Sequence, residues 1–181
     1  MTILERILPD VRRELEEARA AVPLDEIRAR AADARPPRDF AGALTGGGFG
    51  LIAEWKQRSP SMGGMRAANV LAAASAYEAS PVVRAVSVLT NRTHFGGTVA
   101  DLARIAAASS KPVLRKDFIL DPYQVYAARA AGADAVGRPV CVVVLLPPGN
   151  SVADSAPVLS IQPPGSIQAR AAMLSTFSAS R

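Results

Sequence analysis

The chain has 181 residues, 49% of them hydrophobic and 20% charged, with a formal net charge of +5; that is enough for one domain with a core and short for two. The positive excess comes from arginines scattered among acidic residues, without a basic run or interleaved aromatics, so no nucleic-acid partner is expected. Cys141 is the only cysteine, which excludes an internal disulfide and a cysteine-built zinc site and fits a reducing cytoplasm.

The opening stretch, Met1 to Pro9, carries Glu5 and Arg6 and has no long apolar segment, so it does not read as a secretory signal. Ile3, Ile7, Leu8, Val11 and Leu15 recur at helical spacing, and Pro9 is expected in a first turn or at a break. Leu24, Ile27 and Ala31 predict a second short helix that ends before Pro36 and Pro37. Gly46, Gly47 and Gly48 mark a loop, so residues 1–49 read as a helical extension.

From residue 50 strand-like and helix-like segments alternate. Gly50 to Lys56 is a short buried strand, Ala67 to Glu78 a helix, Ala85 to Thr90 a strand and Thr98 to Ser109 a helix. Pro112 to Lys116 is again a strand, Pro122 to Gly132 a helix, and Ala133 to Val136 begins another strand. Strict alternation predicts right-handed βαβ units and a parallel sheet, an α/β fold with helices on one side. Val140 to Leu146 has strong β-propensity and is expected to take the fourth-strand position beside the third strand. It is also the longest strongly apolar run, well below the ~20 residues of a membrane span.

Residues 137–181 hold only four charges, Arg138, Asp154, Arg170 and Arg181, of 37 in the chain. They also hold Pro147–Pro148, Pro163–Pro164 and many serines without sustained periodicity, and the tail from 147 is expected to be disordered. The implied organisation is an extension at 1–49, a βα region at 50–146 and a tail at 147–181.

In a parallel sheet, or a barrel built from one, chemistry gathers at the carboxyl ends of the strands. Glu54 and Lys56 alternate on the first strand, so both point to one face with Ile52, while Ala53 and Trp55 point the other way. Lys116 shares its face with Leu114 and Phe118; Arg115 and Asp117 lie opposite. Two ammonium groups and a carboxylate facing one cavity suit an anionic substrate and proton transfer. The bland alternative stays open: solvated lysines at strand ends, with Glu54 as an ion-pair partner. His94 reads as a surface residue and Trp55 as packing against outer helices. Ser59-Pro60-Ser61 before Gly63-Gly64 is a candidate anion-binding loop of a composition many loops share.

Three blocks, "LIAEWKQRSPSMGG" (51–64), "SVLTNRTHFGGTVADL" (87–102) and "PVLRKDFILDPYQVYAARAAGADAV" (112–136), resemble successive signature blocks of the indole-3-glycerol-phosphate synthase family. The opening "ILERILPDVRRELEEARAAVPLDEIRARA" resembles that family's helical N-terminal extension, and the likeness covers roughly residues 2–136. The resemblance implies a (β/α)8 barrel of tryptophan biosynthesis that converts 1-(2-carboxyphenylamino)-1-deoxyribulose 5-phosphate to indole-3-glycerol phosphate, with loss of carbon dioxide and water and with no cofactor or metal. By that resemblance Lys116 is the general acid, Lys56 binds the carboxylate and phosphate ends, and Glu54 is the catalytic glutamate. Ser59 and Pro60 belong to the loop near the substrate, and Phe95 and Phe118 to the walls of the aromatic pocket.

Past Val136 the family's later units, with a second glutamate, an Asn/Arg pair and phosphate-binding loops, are not recognisable. Residues 50–181 give room for about four βα units, whereas a whole barrel takes ~250 residues. The expectation is a truncated (β/α)8 barrel of three or four parallel βα units, from a frameshift or gene truncation that reading the DNA in other frames past codon 136 would reveal. Such a chain is expected to be weak or inactive alone, or a non-catalytic interaction module. It is also expected to self-associate through the open barrel face.

Overall fold

The computed structural model describes residues 3–45, 49–59, 63–64, 69–137 and 159–160. Helix α1 (Ile3–Ala21) buries Ile7, Val11 and Leu15 along one stripe. Pro9 neither starts nor breaks it: it lies inside the helix on the exposed side. A proline there forgoes one i→i−4 hydrogen bond of the helix on its solvent side, away from the buried stripe. Helix α2 (Leu24–Asp33) buries Ile27 and Ala31 and ends ahead of the two prolines. A third helix, α3 (Phe40–Thr45), with Phe40 buried, was not foreseen. The glycine loop at 46–48 lies outside the described residues.

Strand β1 (Leu51–Trp55) is followed by a short antiparallel pair, β2 (Arg58–Ser59) and β3 (Gly63–Gly64). Helix α4 (Val70–Ala79) leads to β4 (Val83–Leu89), the short α5 (Arg92–Phe95) and α6 (Val99–Ala108). Strand β5 (Val113–Lys116), α7 (Pro122–Ala130) and β6 (Ala135–Gly137) continue the alternation. The four long-range strands are parallel in the order β1-β4-β5-β6, and β7 (Leu159–Ser160) pairs antiparallel with β6. This α/β arrangement is that of the first strands of a (β/α)8 barrel. The position beside β5 is held by β6; Val140–Leu146 lies outside the described residues, as does the tail apart from β7. Pairing begins at Ala135 because Asp134, just before it, is anchored to the start of β5 through the Val113 amide.

Local chemistry sets the helix starts. Thr98 and Asp101 form a reciprocal capping box at α6, and Asp121 and Gln124 form one at α7 with Pro122 in its first turn. Each such cap contributes about 1 kcal/mol.

The sheet separates two apolar layers. On the outer face Ala53, Trp55, Val86, Val88, Val113 and Val136 pack against Val70 and Ala74 of α4, Leu102 and Ile105 of α6 and Ala128 of α7. Trp55 is 2% exposed, so the reading of it as a packing residue holds. On the inner face Ile52, Ala85, Leu114 and Ala135 meet Phe40 and Leu44. Helices therefore do not all lie on one side: the alanines at 85 and 135 leave room for α3 against the amino-terminal half of the inner face. A third cluster of Leu15, Ile27 and Tyr123 seats α1 and α2 on α7. There the Tyr123 hydroxyl shares its one proton between the carbonyls of Ala18 (2.8 Å) and Val22 (2.9 Å), closing the end of α1.

The segment after α2 is pinned by one carboxylate. Asp134, fully buried, accepts from Arg35 Nη1 (2.7 Å), Arg35 Nη2 (3.2 Å), the Arg38 amide (2.7 Å) and the Val113 amide (2.8 Å). Among the described residues no helix is long and apolar enough to cross a membrane.

Candidate active site

Strand alternation puts Glu54 on the inner face of β1, and Lys56 follows on the same side just past the strand. Lys116 ends β5, two strands away. Between them β4 presents Ser87, in register with Glu54 on one side and Leu114 on the other. Neighbouring strands run ~4.8 Å apart, so Glu54 and Lys116 must reach over β4 to meet. They do: Lys116 Nζ donates to Glu54 Oε2 at 2.6 Å, and Lys56 Nζ donates to Glu54 Oε1 at 2.8 Å. The three side chains are 28%, 31% and 22% exposed for Glu54, Lys56 and Lys116, open enough to meet a ligand.

Burial pushes the Glu54 carboxyl upward, but hydrogen bonds from Lys116 and Lys56, with their charges, outweigh it and hold the group below the ordinary range. Tyr77 of α4 donates its hydroxyl to the Glu54 carbonyl at 3.1 Å, fixing the strand from the outside. Burial, and then the Glu54 charge, raise that phenol above its usual value. Two ammonium groups around one carboxylate leave the cluster one positive charge in excess, which suits an anionic ligand beside a proton-transfer pair.

The other expected residues divide. Phe95 closes α5 just beyond β4, and Phe118 lies two residues beyond β5; both are half-buried at the carboxyl end of the sheet. The Phe95 carbonyl accepts the Gln57 amide at 3.0 Å, next to Lys56. Gln124 shapes the Phe118 loop, donating to the Phe118 carbonyl (3.0 Å) and accepting from the amides of Leu120 (2.7 Å) and Asp121 (3.1 Å). Ser59 has its backbone paired with Gly63, and Pro60 lies outside the described residues. His94 is not a surface side chain: it is 21% exposed, with Nε2 2.9 Å from Asp10 Oδ2.

Two features escaped the sequence reading. Ser87 is 4% exposed, and its hydroxyl has no partner among the described residues. Its small side chain leaves the crossing from Glu54 to Lys116 unobstructed. Opposite Lys116, Arg115 donates to Thr90 Oγ1 (2.9 Å), the Gln124 carbonyl (2.8 Å) and Asp117 Oδ2 (2.8 Å), and Asp117 Oδ1 accepts the Phe118 amide (2.8 Å). The network borders a cavity of about 100 Å³ beside Val11, Leu15 and Tyr123. The alternation of Arg115 and Asp117 around Lys116 was its only sequence signal. Among the described residues no three of His, Cys, Asp and Glu come together as a metal site.

A family model described as indole-3-glycerol phosphate synthase matches residues 4–143, reaching past the last signature block. Indole-3-glycerol phosphate synthase of Saccharopolyspora erythraea is 47% identical over 136 residues, which cover 75% of this chain and 51% of that protein. Indole-3-glycerol phosphate synthase 1 of Streptomyces coelicolor is 47% identical over 137 residues, again 75% of this chain and 51% of the relative. The synthase of Mycolicibacterium gilvum is 48% identical over 134 residues, 74% of this chain and 49% of its own length. The chain thus spans about half the length of the curated relatives it matches. Glu54, Lys56 and Lys116 all fall within the matched stretch, and the chain belongs to the indole-3-glycerol phosphate synthase family.

Proposed function

We propose that this chain supplies the Glu54–Lys56–Lys116 half of a synthase site that closes the indole ring of 1-(2-carboxyphenylamino)-1-deoxyribulose 5-phosphate. The observation that carries the reading is the single carboxylate of Glu54 shared by two lysines, one just past β1 and one at the end of β5. In this scheme the aromatic carbon bearing the carboxylate attacks the ribulose carbonyl, and Lys116 donates its proton to the oxygen as negative charge grows there. Loss of carbon dioxide restores the ring electrons, and loss of the new hydroxyl as water, assisted by Lys56, completes indole-3-glycerol phosphate. Glu54 orients both ammonium groups and takes part in the proton traffic. Ser59 and Pro60 approach the substrate from the loop after β1, and Phe95 and Phe118 flank its ring. No cofactor or metal is invoked, and the cytoplasm is the proposed location.

The purified chain is to be assayed for indole-3-glycerol phosphate formation and for rescue of a tryptophan auxotroph lacking this enzyme. Turnover above background that Lys116→Met abolishes supports the scheme; turnover that survives Lys116→Met refutes it. Turnover is expected to be very low, because the second glutamate and the phosphate-binding loops of the family are not recognisable in this chain, and positioning contributes much of such a rate.

A second reading, an interaction module, is favoured by the outer edge of β1. Among the described residues β1 pairs only with β4, and Phe49 (72% exposed), Leu51 (44%) and Val82 (44%) lie near its entry end. A second copy of the chain is the proposed occupant; a compact monomer in size-exclusion chromatography contradicts it.

A further inference from the structure

Asp10, Glu14 and Glu17 lie on one side of α1 at helical spacing, and each takes a different grip on the turn that follows β4. Glu14 Oε1 accepts the Thr93 amide (3.0 Å) and the Thr93 hydroxyl (2.7 Å), and Glu14 Oε2 accepts the Arg92 amide (3.2 Å). Glu17 Oε2 meets Arg92 Nη2 at 2.7 Å, and Asp10 Oδ2 meets His94 Nε2 at 2.9 Å. Residues 92, 93 and 94 are thereby tied in succession to one helix. The inner side of the same turn is bonded to the segment just past Lys56: the Gln57 amide donates to the Phe95 carbonyl (3.0 Å), and Arg58 Nη1 to the Thr93 carbonyl (3.3 Å). Further along, α1 reaches the second loop at this end of the sheet, where Arg19 Nη2 pairs with Asp121 Oδ2 at 2.7 Å. So one helix outside the sheet braces both loops, the one carrying Phe95 and the one carrying Phe118.

We propose that Glu14 is a positioning residue: through the Arg92 and Thr93 amides it fixes Phe95 and, through the Phe95 carbonyl, the backbone at Gln57 beside Lys56. Three hydrogen bonds to one ionised acceptor are enough to decide whether a turn of four residues is ordered. Exposed ion pairs alone, such as Glu17 with Arg92, contribute far less. The consequence for ligand binding rests on the function proposed above; the ordering of the turn does not.

Amide hydrogen exchange on the full chain separates the two. Glu14→Ala is expected to speed exchange at Thr93, Phe95 and Gln57 by about tenfold or more, while amides of β4 and β5 keep their rates. Glu14→Gln, which retains an acceptor oxygen and guards against a folding failure in the alanine variant, is expected to fall between. Glu16→Ala, on the exposed side of the same helix, is expected to change none of them. Unchanged exchange at Thr93 and Gln57, or a rise spread evenly over β4 and β5, overturns the proposal, since the second pattern means Glu14 only stabilises the fold. Calorimetric titration with indole-3-glycerol phosphate then reads the consequence: Glu14→Ala is expected to weaken binding about three- to tenfold. Equal affinity in wild type and variant, despite a loosened turn, overturns the positioning role. A wild-type chain that does not bind the compound counts against the proposed function, while exchange still decides the role of Glu14 in holding the turn.

Discussion

Replacing Asp134 by alanine removes the acceptor on which four donors converge. The Val113 amide is enclosed at the start of β5, and stranding it costs about 1–3 kcal/mol. Arg38 keeps the carbonyls of Lys111 and Ala106, and Arg35, 36% exposed in its side chain, can return to water, so neither guanidinium is left buried without a partner. The full 3–5 kcal/mol typical of breaking a buried ion pair is therefore reduced, and a loss of about 3 kcal/mol is expected. Urea denaturation followed by Trp55, the single tryptophan and 2% exposed, gives a clean readout. With an m-value of about 1.5–2 kcal/mol/M the midpoint is expected to fall by roughly 1.5–2 M. Asp25→Ala, which removes a carboxylate 97% exposed and paired at 3.6 Å with Arg28, is the control and is expected to stay within about 0.5 kcal/mol. A loss under about 1 kcal/mol for Asp134→Ala would refute the argument that this carboxylate anchors the segment after α2 to the sheet.

Acid sensitivity follows from Glu54. A folded-state pKa held below its unfolded value contributes stability that is present above the ordinary glutamate range, about 4.3, and is lost as pH falls through the folded value. Glu54→Gln is expected to flatten the urea midpoint against pH on that acid limb, and an unchanged limb would mean that the two lysines do not hold the carboxyl down. At Gly97 an added Cβ would sit 1.9 Å from the Leu89 carbonyl oxygen at the end of β4. Gly97→Ala is expected to cost about 1–3 kcal/mol by forcing the backbone apart, and a midpoint within about 0.5 kcal/mol of wild type would show that the turn can yield.

Much of this architecture was legible because its signals are local. Thr98 and Ser109 were read as the ends of a helix and are its caps; a threonine three residues before an aspartate is a local start signal, because the two side chains satisfy each other's backbone amides. Period-two alternation alone puts Glu54 and Lys56 on one face, and Lys116 opposite Arg115 and Asp117. What escaped is non-local or too short to have a period. Helix α3 has six residues and one buried side chain, which leaves no stripe to read. Asp10 meets His94 across 84 residues and Glu14 meets Thr93 across 79, so neither pairing has a spacing rule to betray it. Pro9 lies inside α1 because the buried stripe of Ile7, Val11 and Leu15 runs across it, and packing of that stripe overrides the local breaker.

The ties that seat the extension all point forward along the chain: Glu17 to Arg92 spans 75 residues, Arg35 to Asp134 spans 99, and Ala18 to Tyr123 spans 105. A ribosome adding about 5–20 residues per second delivers those partners only after several seconds. Helices α1 and α2 are therefore made before the partners that seat them, and during synthesis the apolar stripe of Ile7, Val11 and Leu15 on α1 is available to chaperones or to a neighbouring nascent chain.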